Sequence, residues 1–279
     1  MTVKPLKRME VLDSIRGIAA FSVVLHHCFL VLPVFYLSTN YMDNNNQFAS
    51  NVIHSPLHIF FAGNEAVMLF FILSGFVLAL PFLHKQPFSY LPYLLKRFIR
   101  IYIPYIISII LSLLLYNSIE RSGNHLYSNW FNEMWIDTLT VRHLFSYVFM
   151  TGYDTHSLNT VTWSLIYEMR VSLFFPLLMF FVVKINWKKI LIGSFSVLWG
   201  GWVICNVMVK ISNVEFFYSL GSTLYFTPFF LLGALLAKHR EFLCLQLQRI
   251  STGSRYFVCH SNITLYSGMD GSVIGALTI

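Results

Sequence analysis

The chain has 279 residues, of which 56% are hydrophobic and only 11% charged, against roughly 25% charged in an ordinary soluble domain. This excludes a soluble globular protein and points to an integral membrane one. Its net charge of +7 does not indicate nucleic-acid binding, because the basic residues stand in short groups between apolar runs rather than in a phosphate-tracking stripe.

The expected fold class is all-α, a polytopic transmembrane helical bundle in a lipid bilayer. Six apolar runs, at 11–34, 60–82, 99–118, 161–183, 189–209 and 216–237, approach the roughly 20 residues that a membrane helix needs. The first run is too long and too polar for a cleavable signal peptide. Lys4, Lys7, Arg8, Lys85, Lys96, Arg97, Arg100, Lys184, Lys188, Lys189, Lys238 and Arg240 all fall on one side of these spans. Only Arg121, Arg142 and Lys210 fall on the other, so the positive-inside rule places the N-terminus in the cytoplasm. The outer loops are then 35–59, rich in Asn, and 119–160, long enough that short interfacial helices are expected within it. No internal repeat is visible, which argues against an inverted-repeat transporter. Cys28, Cys205, Cys244 and Cys259 have neither paired nor metal-type spacing, so neither a disulfide nor a metal site is expected.

Within the first span, VLDSIRGIAAFSVVLHHCFLV carries Asp13, Arg16, His26 and His27. A charge at the centre of a membrane span costs at least roughly 2.5–3.5 kcal/mol, so such residues are functional candidates by default. At about 100° per residue, Arg16 and His27 lie about 20° from one line, Asp13 within about 40–60° of both, and His26 about 100° away from His27. Gly17 and Ala20 lie near that polar stripe and would admit another helix. A neutral imidazole can take a proton from a hydroxyl, which makes His27 a candidate general base; the competing role is a hydrogen bond to a neighbouring helix. Asp13 and Arg16, three residues apart, also read as a mutually neutralising pair at the cytoplasmic boundary.

The second span contains Leu73-Ser74-Gly75-Phe76, where a Ser-Gly step lets another backbone come close. No nucleophile-elbow context surrounds Ser74. Lys96-Arg97-Phe98-Ile99-Arg100 opens the third span. Arginines beside a helix N-terminus make a site for phosphate groups, and also serve as ordinary positive-inside anchors. The fourth span begins Thr162-Trp163-Ser164-Leu165-Ile166-Tyr167-Glu168-Met169-Arg170, and its two charges are either a structural ion pair or part of a site. Counting from the expected span starts puts His27 about 24 Å above the cytoplasmic edge and Glu168 about 10 Å below the outer one, at similar depth, with the arginines at the opposite mouth. This layout suits transfer of a group across the membrane.

The strings LDSIRG-IAAFSVVLHH, LFFILSGFVL, KRFIRIYIP and WSLIYEMRVSLFFP, in this order, resemble the membrane-bound acyltransferase 3 family. The similarity covers roughly residues 10 to 237, and the four motifs together at these intervals are specific. The resemblance implies an acyltransferase that moves an acyl group, usually acetyl from acetyl-CoA, to a hydroxyl of an extracytoplasmic carbohydrate or lipid-linked glycan. O-antigen, capsule and exopolysaccharide are typical acceptors, and a bacterial plasma or inner membrane is the implied location. By position, His27 matches the family's essential His, Arg16 its R-G arginine and Asp13 the preceding acid. Arg97 and Arg100 match the basic residues implicated in holding the CoA end, and Glu168 matches the acid of the W-S-L-x-x-E motif. Ser14 stands where a Gly is common after the aspartate, and no Phe-Tyr follows the acid of the fourth motif.

The expected domain division is an acyltransferase transmembrane domain at 1–240 and an atypical tail at 241–279. The tail lacks a run long enough to span, and an N-glycosylation sequon at Asn262-Ile263-Thr264 carries no weight on the cytoplasmic side. Because relatives usually have about ten spans, the expectation is a family domain cut short by truncation or frameshift. Two other classes compete with the enzyme reading: a small transporter or flippase, which predicts flux without CoA, and an inactive remnant, which predicts no turnover.

Overall fold

The computed structural model describes residues 10–40, 46–84, 88–119, 126–135, 139–153, 157–212 and 215–250. Lys4, Lys7, Arg8, Lys85, Arg121, Cys259 and the Asn262 sequon lie outside them. The described chain runs α1 (Glu10–Leu30), α2 (Pro33–Asn40), α3 (Gln47–Ile53), a 3-10 turn (Pro56–Phe60), α4 (Gly63–Leu83), α5 (Tyr90–Ser118), α6 (Asn129–Asn132), α7 (Val141–Phe149), α8 (Thr162–Lys184), α9 (Trp187–Ser212), α10 (Glu215–Lys238) and α11 (Arg240–Ile250). Among the described residues, helices α1, α4, α5, α8, α9 and α10 are the six long and apolar enough to cross a membrane. The protein is an all-helical polytopic bundle.

Two boundaries depart from the hydropathy reading, each for a local reason. The first run divides at Pro33, which has no N–H to continue α1 and is suited to open α2. The third span begins at Tyr90 rather than 99, because Pro92 is tolerated in a first turn and the basic segment after it remains helical. Arg97 is therefore two turns inside its helix. The loop after α5 holds α6 and α7, as its length led one to expect.

Helix α10 sits at the centre, against α4, α8 and α9. Its approach to α4 is set by two glycines. A Cβ on Gly75 would collide with the carbonyl oxygen of Phe230, and one on Gly233 with the carbonyl oxygen of Ile72. The Ser-Gly step of α4 is thus a packing site for its glycine. The expected approach at Gly17 is not found: a Cβ there would meet no atom within 4 Å, and α1 instead turns Ala19 and Ser22 inward. Gly233→Ala should lower the melting temperature of the detergent-solubilised protein, since overpacking a tight contact costs about 1–3 kcal/mol. Gly200→Ala, whose Cβ would meet nothing within 4 Å in the interior of α9, should not lower it in the same assay, since helix propensity favours the alanine there.

Polar side chains close the backbone where prolines and helix ends open it. Pro176 cannot donate to the carbonyl of Ser172, and the Tyr93 hydroxyl donates to that oxygen at 2.8 Å. Lys238 Nζ donates to the Val182 carbonyl at 2.7 Å in the last turn of α8, where carbonyls lack helical partners. Arg240 reaches His84 Nε2 at 3.3 Å, so α4, α8 and α10 end at one face. Outside the bundle core, large apolar side chains such as Ile18, Phe21, Ile110, Leu114, Phe174 and Ile204 stay exposed, as lipid-facing surfaces require.

Candidate active site

The site is built from α1, α4, α5 and α8, with Tyr36 of α2 and Trp130 of α6. Its first part is a cavity of about 230 Å³ at the far end of α1, lined by His26, His27, Asn64, Trp130, Trp163 and Ser164 among others. Its two histidines behave differently, as their phasing predicts. His26 lies within 3.0 Å of the Phe61 carbonyl through Nδ1 and packs where Gly63 has no side chain, so it ties α1 to the start of α4. His27 is half-buried, and its Nδ1 is buried with no hydrogen-bond partner. Trp163 is held in turn by stacking on Phe226 of α10, with ring centroids 5.3 Å apart.

The second part lies deeper and is charged. Glu168 Oε1 accepts from Ser74 Oγ at 2.9 Å and from Arg97 Nη2 at 2.9 Å. Arg97 Nη2 also donates to Ser172 Oγ at 3.2 Å. Arg97 is 8% exposed, and its Nε is buried without a partner. A depth count from span 99–118 separates Arg97 from Glu168; the early start of α5 removes that separation and lets them pair. Burying both charges is tolerable because each compensates the other, with the Ser74 hydroxyl donating to the carboxylate and the Ser172 hydroxyl accepting from the guanidinium.

Among the described residues, the hydrogen bonds of Glu168 go to Ser74 and Arg97 and none to His27. The connection between the two parts is α8 itself. Ser164, Glu168 and Ser172 recur every four residues and so share one face. Ser164 lines the His27 cavity, Glu168 is one turn deeper, and Ser172 one turn deeper again, about 6 Å per step.

Arg16 is 17% exposed, 3.8 Å from Asp13, and lies within electrostatic range of Arg100, Glu168 and Arg97. Arg100 is exposed and makes no ion pair among the described residues. Arg16 and Arg97 thus pair with Asp13 and Glu168 while Arg100 stands near Arg16, leaving the cluster with an excess of positive charge. Arg170, two residues after Glu168, points elsewhere. It donates to Ser219 Oγ at 2.9 Å and Thr223 Oγ1 at 3.0 Å on α10, and to the Thr151 carbonyl at 2.6 Å. It therefore staples α8 to α10 and to the outer loop, and the Glu168–Arg170 ion pair is not formed. Gly152 makes room for that staple: its φ is +67°, and a Cβ there would collide with Ser219 Oγ.

Ser164 and Ser172 are legible from their fourfold spacing about Glu168. Trp130 has no sequence signal, since a loop residue reaches the site only through the tertiary fold. Ser74 was visible only as half of a packing motif, and its bond to Glu168 is the added finding.

A family model described as an acyltransferase domain, that of the acyltransferase 3 family, matches residues 9–272, a range that runs past residue 240. No curated protein matches the chain, and no solved structure matches it. The chain belongs to the acyltransferase 3 family and is a multi-pass membrane enzyme that transfers acyl groups other than aminoacyl groups.

Proposed function

We propose that the protein transfers an acyl group, acetyl from acetyl-CoA, to a hydroxyl of an extracytoplasmic carbohydrate or lipid-linked glycan such as O-antigen, capsule or exopolysaccharide, in a bacterial inner membrane. The observation that carries this reading is the polar line along α8, from the cationic cluster at Arg16, Arg97 and Arg100 to the cavity at His27. The excess of positive charge suits the phosphates of CoA. Of the three arginines, Arg97 is engaged by Glu168 at 2.9 Å and Arg16 by Asp13 only at 3.8 Å. Arg100, with no ion pair among the described residues, is therefore the first group with charge left for the donor and the loosely paired Arg16 the second.

His27 takes the proton of the acceptor hydroxyl, whose oxygen forms a bond to the acyl carbonyl carbon. The carbon–sulfur bond then breaks, and the thiolate of CoA leaves and gains a proton. Asp13 holds Arg16, while Glu168, itself bonded by Ser74, holds Arg97 in place behind the reacting groups.

The test follows radiolabel from acetyl-CoA into carbohydrate in membranes containing the chain, beside Arg100→Ala. The expected result is transfer by the wild type and a donor KM raised roughly tenfold in the variant, the worth of one charge-assisted hydrogen bond, with kcat little changed. Flux of a glycan without CoA, or transfer indifferent to Arg100, would overturn the assignment.

A further inference from the structure

We propose that Trp130, carried by α6 in the loop between the third and fourth spans, is a positioning residue that holds the His27 imidazole in its working plane by stacking on it. The inference rests on the acyl-transfer reading for what the imidazole does, and on geometry for what holds it. A catalytic base is ordinarily oriented by a hydrogen bond to its second ring nitrogen. His27 lacks that device: Nδ1 is buried with no partner. What faces the ring is the Trp130 indole, with centroids 5.7 Å apart and planes only 9° from parallel. The other ring neighbour, His26, is tilted by 56° and is itself engaged with the Phe61 carbonyl.

The indole is brought there by a dedicated anchor. Ser128, 1% exposed, donates through Oγ to the Leu30 carbonyl at 2.6 Å. Its backbone N–H donates to the Val31 carbonyl at 2.8 Å. These are carbonyls at the end of α1, which have no partner within the helix. The same Ser128 Oγ accepts from Phe131 N at 3.2 Å and so starts α6. One serine thus fixes α6 to the helix that carries His27, one turn beyond the imidazole. Trp130 and His27 both line the cavity, so an acceptor hydroxyl approaching the base does so beside the indole.

The experiment compares Trp130→Leu with Trp130→Phe in membranes. Both replacements are apolar, but only phenylalanine keeps a flat face, so a role in filling space alone would not separate them. Two readouts are taken. In acyl transfer, Trp130→Leu should lower kcat about tenfold, as misplacement of a reacting group does, with the donor KM unchanged and Trp130→Phe close to wild type. In modification by diethyl pyrocarbonate, followed by mass spectrometry of the His27 peptide, the leucine variant should react several-fold faster than the phenylalanine one. The proposal falls if either readout fails to separate the two variants. Should the wild type transfer nothing, the acyl-transfer reading fails by itself, and the modification rates alone decide for or against stacking. If the leucine chain does not insert, Trp130→Met, equally apolar and not planar, takes its place.

Discussion

His27→Ala is expected to lower acyl transfer by about 10²–10⁴-fold, the usual contribution of a positioned general base. Donor binding should persist in this variant, because the arginines that would hold the CoA phosphates lie on α1 and α5 and do not depend on the imidazole. The measurement is label transferred from acetyl-CoA to carbohydrate in membranes, paired with retention of labelled acetyl-CoA by the same membranes. The contrast with Arg100→Ala is diagnostic: there the loss lies in donor KM, here in kcat. His27→Gln is a sharper companion, since an amide can still hydrogen-bond a neighbouring helix or the acceptor but cannot take a proton. If the glutamine chain transfers at near wild-type rate, His27 is only a packing or binding group, as His26 is at the Phe61 carbonyl. Against that outcome stands the position of His27, which lines the cavity beside Asn64 and Ser164, whereas the Nδ1 of His26 is engaged with the Phe61 carbonyl.

What could be read from the chain alone depended on the range of the physics involved. Span existence is a property of about 20 consecutive residues, and all six spans are present. The phasing of Arg16 and His27 is likewise a property of one helix. It correctly set His27 apart from His26, which faces Phe61 and Gly63. The misjudged boundary was that of α5, where Lys96, Arg97 and Arg100 lower the local hydropathy although the backbone stays helical from Tyr90. That one error moved Arg97 away from Glu168 in the depth count. The Glu168–Arg170 ion pair is a separate matter, excluded by local geometry alone, since residues two apart on a helix point to nearly opposite sides. Trp130 was out of reach for a different reason: its place beside His27 depends on Ser128 meeting the end of α1, a contact between residues that no periodicity relates.

Glu168→Ala is expected to destabilise the folded protein by about 3–5 kcal/mol, the cost of removing one partner of a buried ion pair. The reason is local. Arg97 is 8% exposed, and its Nη2 donates to Glu168 at 2.9 Å. Without the carboxylate, the guanidinium keeps only Ser172 as a charge-free acceptor at 3.2 Å, while Ser74 loses its acceptor on α8 as well. The measurement is thermal unfolding of the detergent-solubilised protein, with Arg97→Met and the Arg97→Met/Glu168→Ala double variant completing a cycle. The double variant should be markedly more stable than the sum of the single losses predicts, because it leaves no uncompensated charge behind. Simple additivity would mean that the two side chains do not act on one another, and the role given to Glu168 would fail. Glu168→Gln should fall between the wild type and alanine, since its amide oxygen still accepts from both Ser74 and Arg97 but no longer offsets the positive charge. The ordering of the three chains separates the hydrogen bonds at this position from its charge. In the acyl-transfer reading that charge is what holds Arg97 in the bundle and leaves Arg16 and Arg100 for the donor.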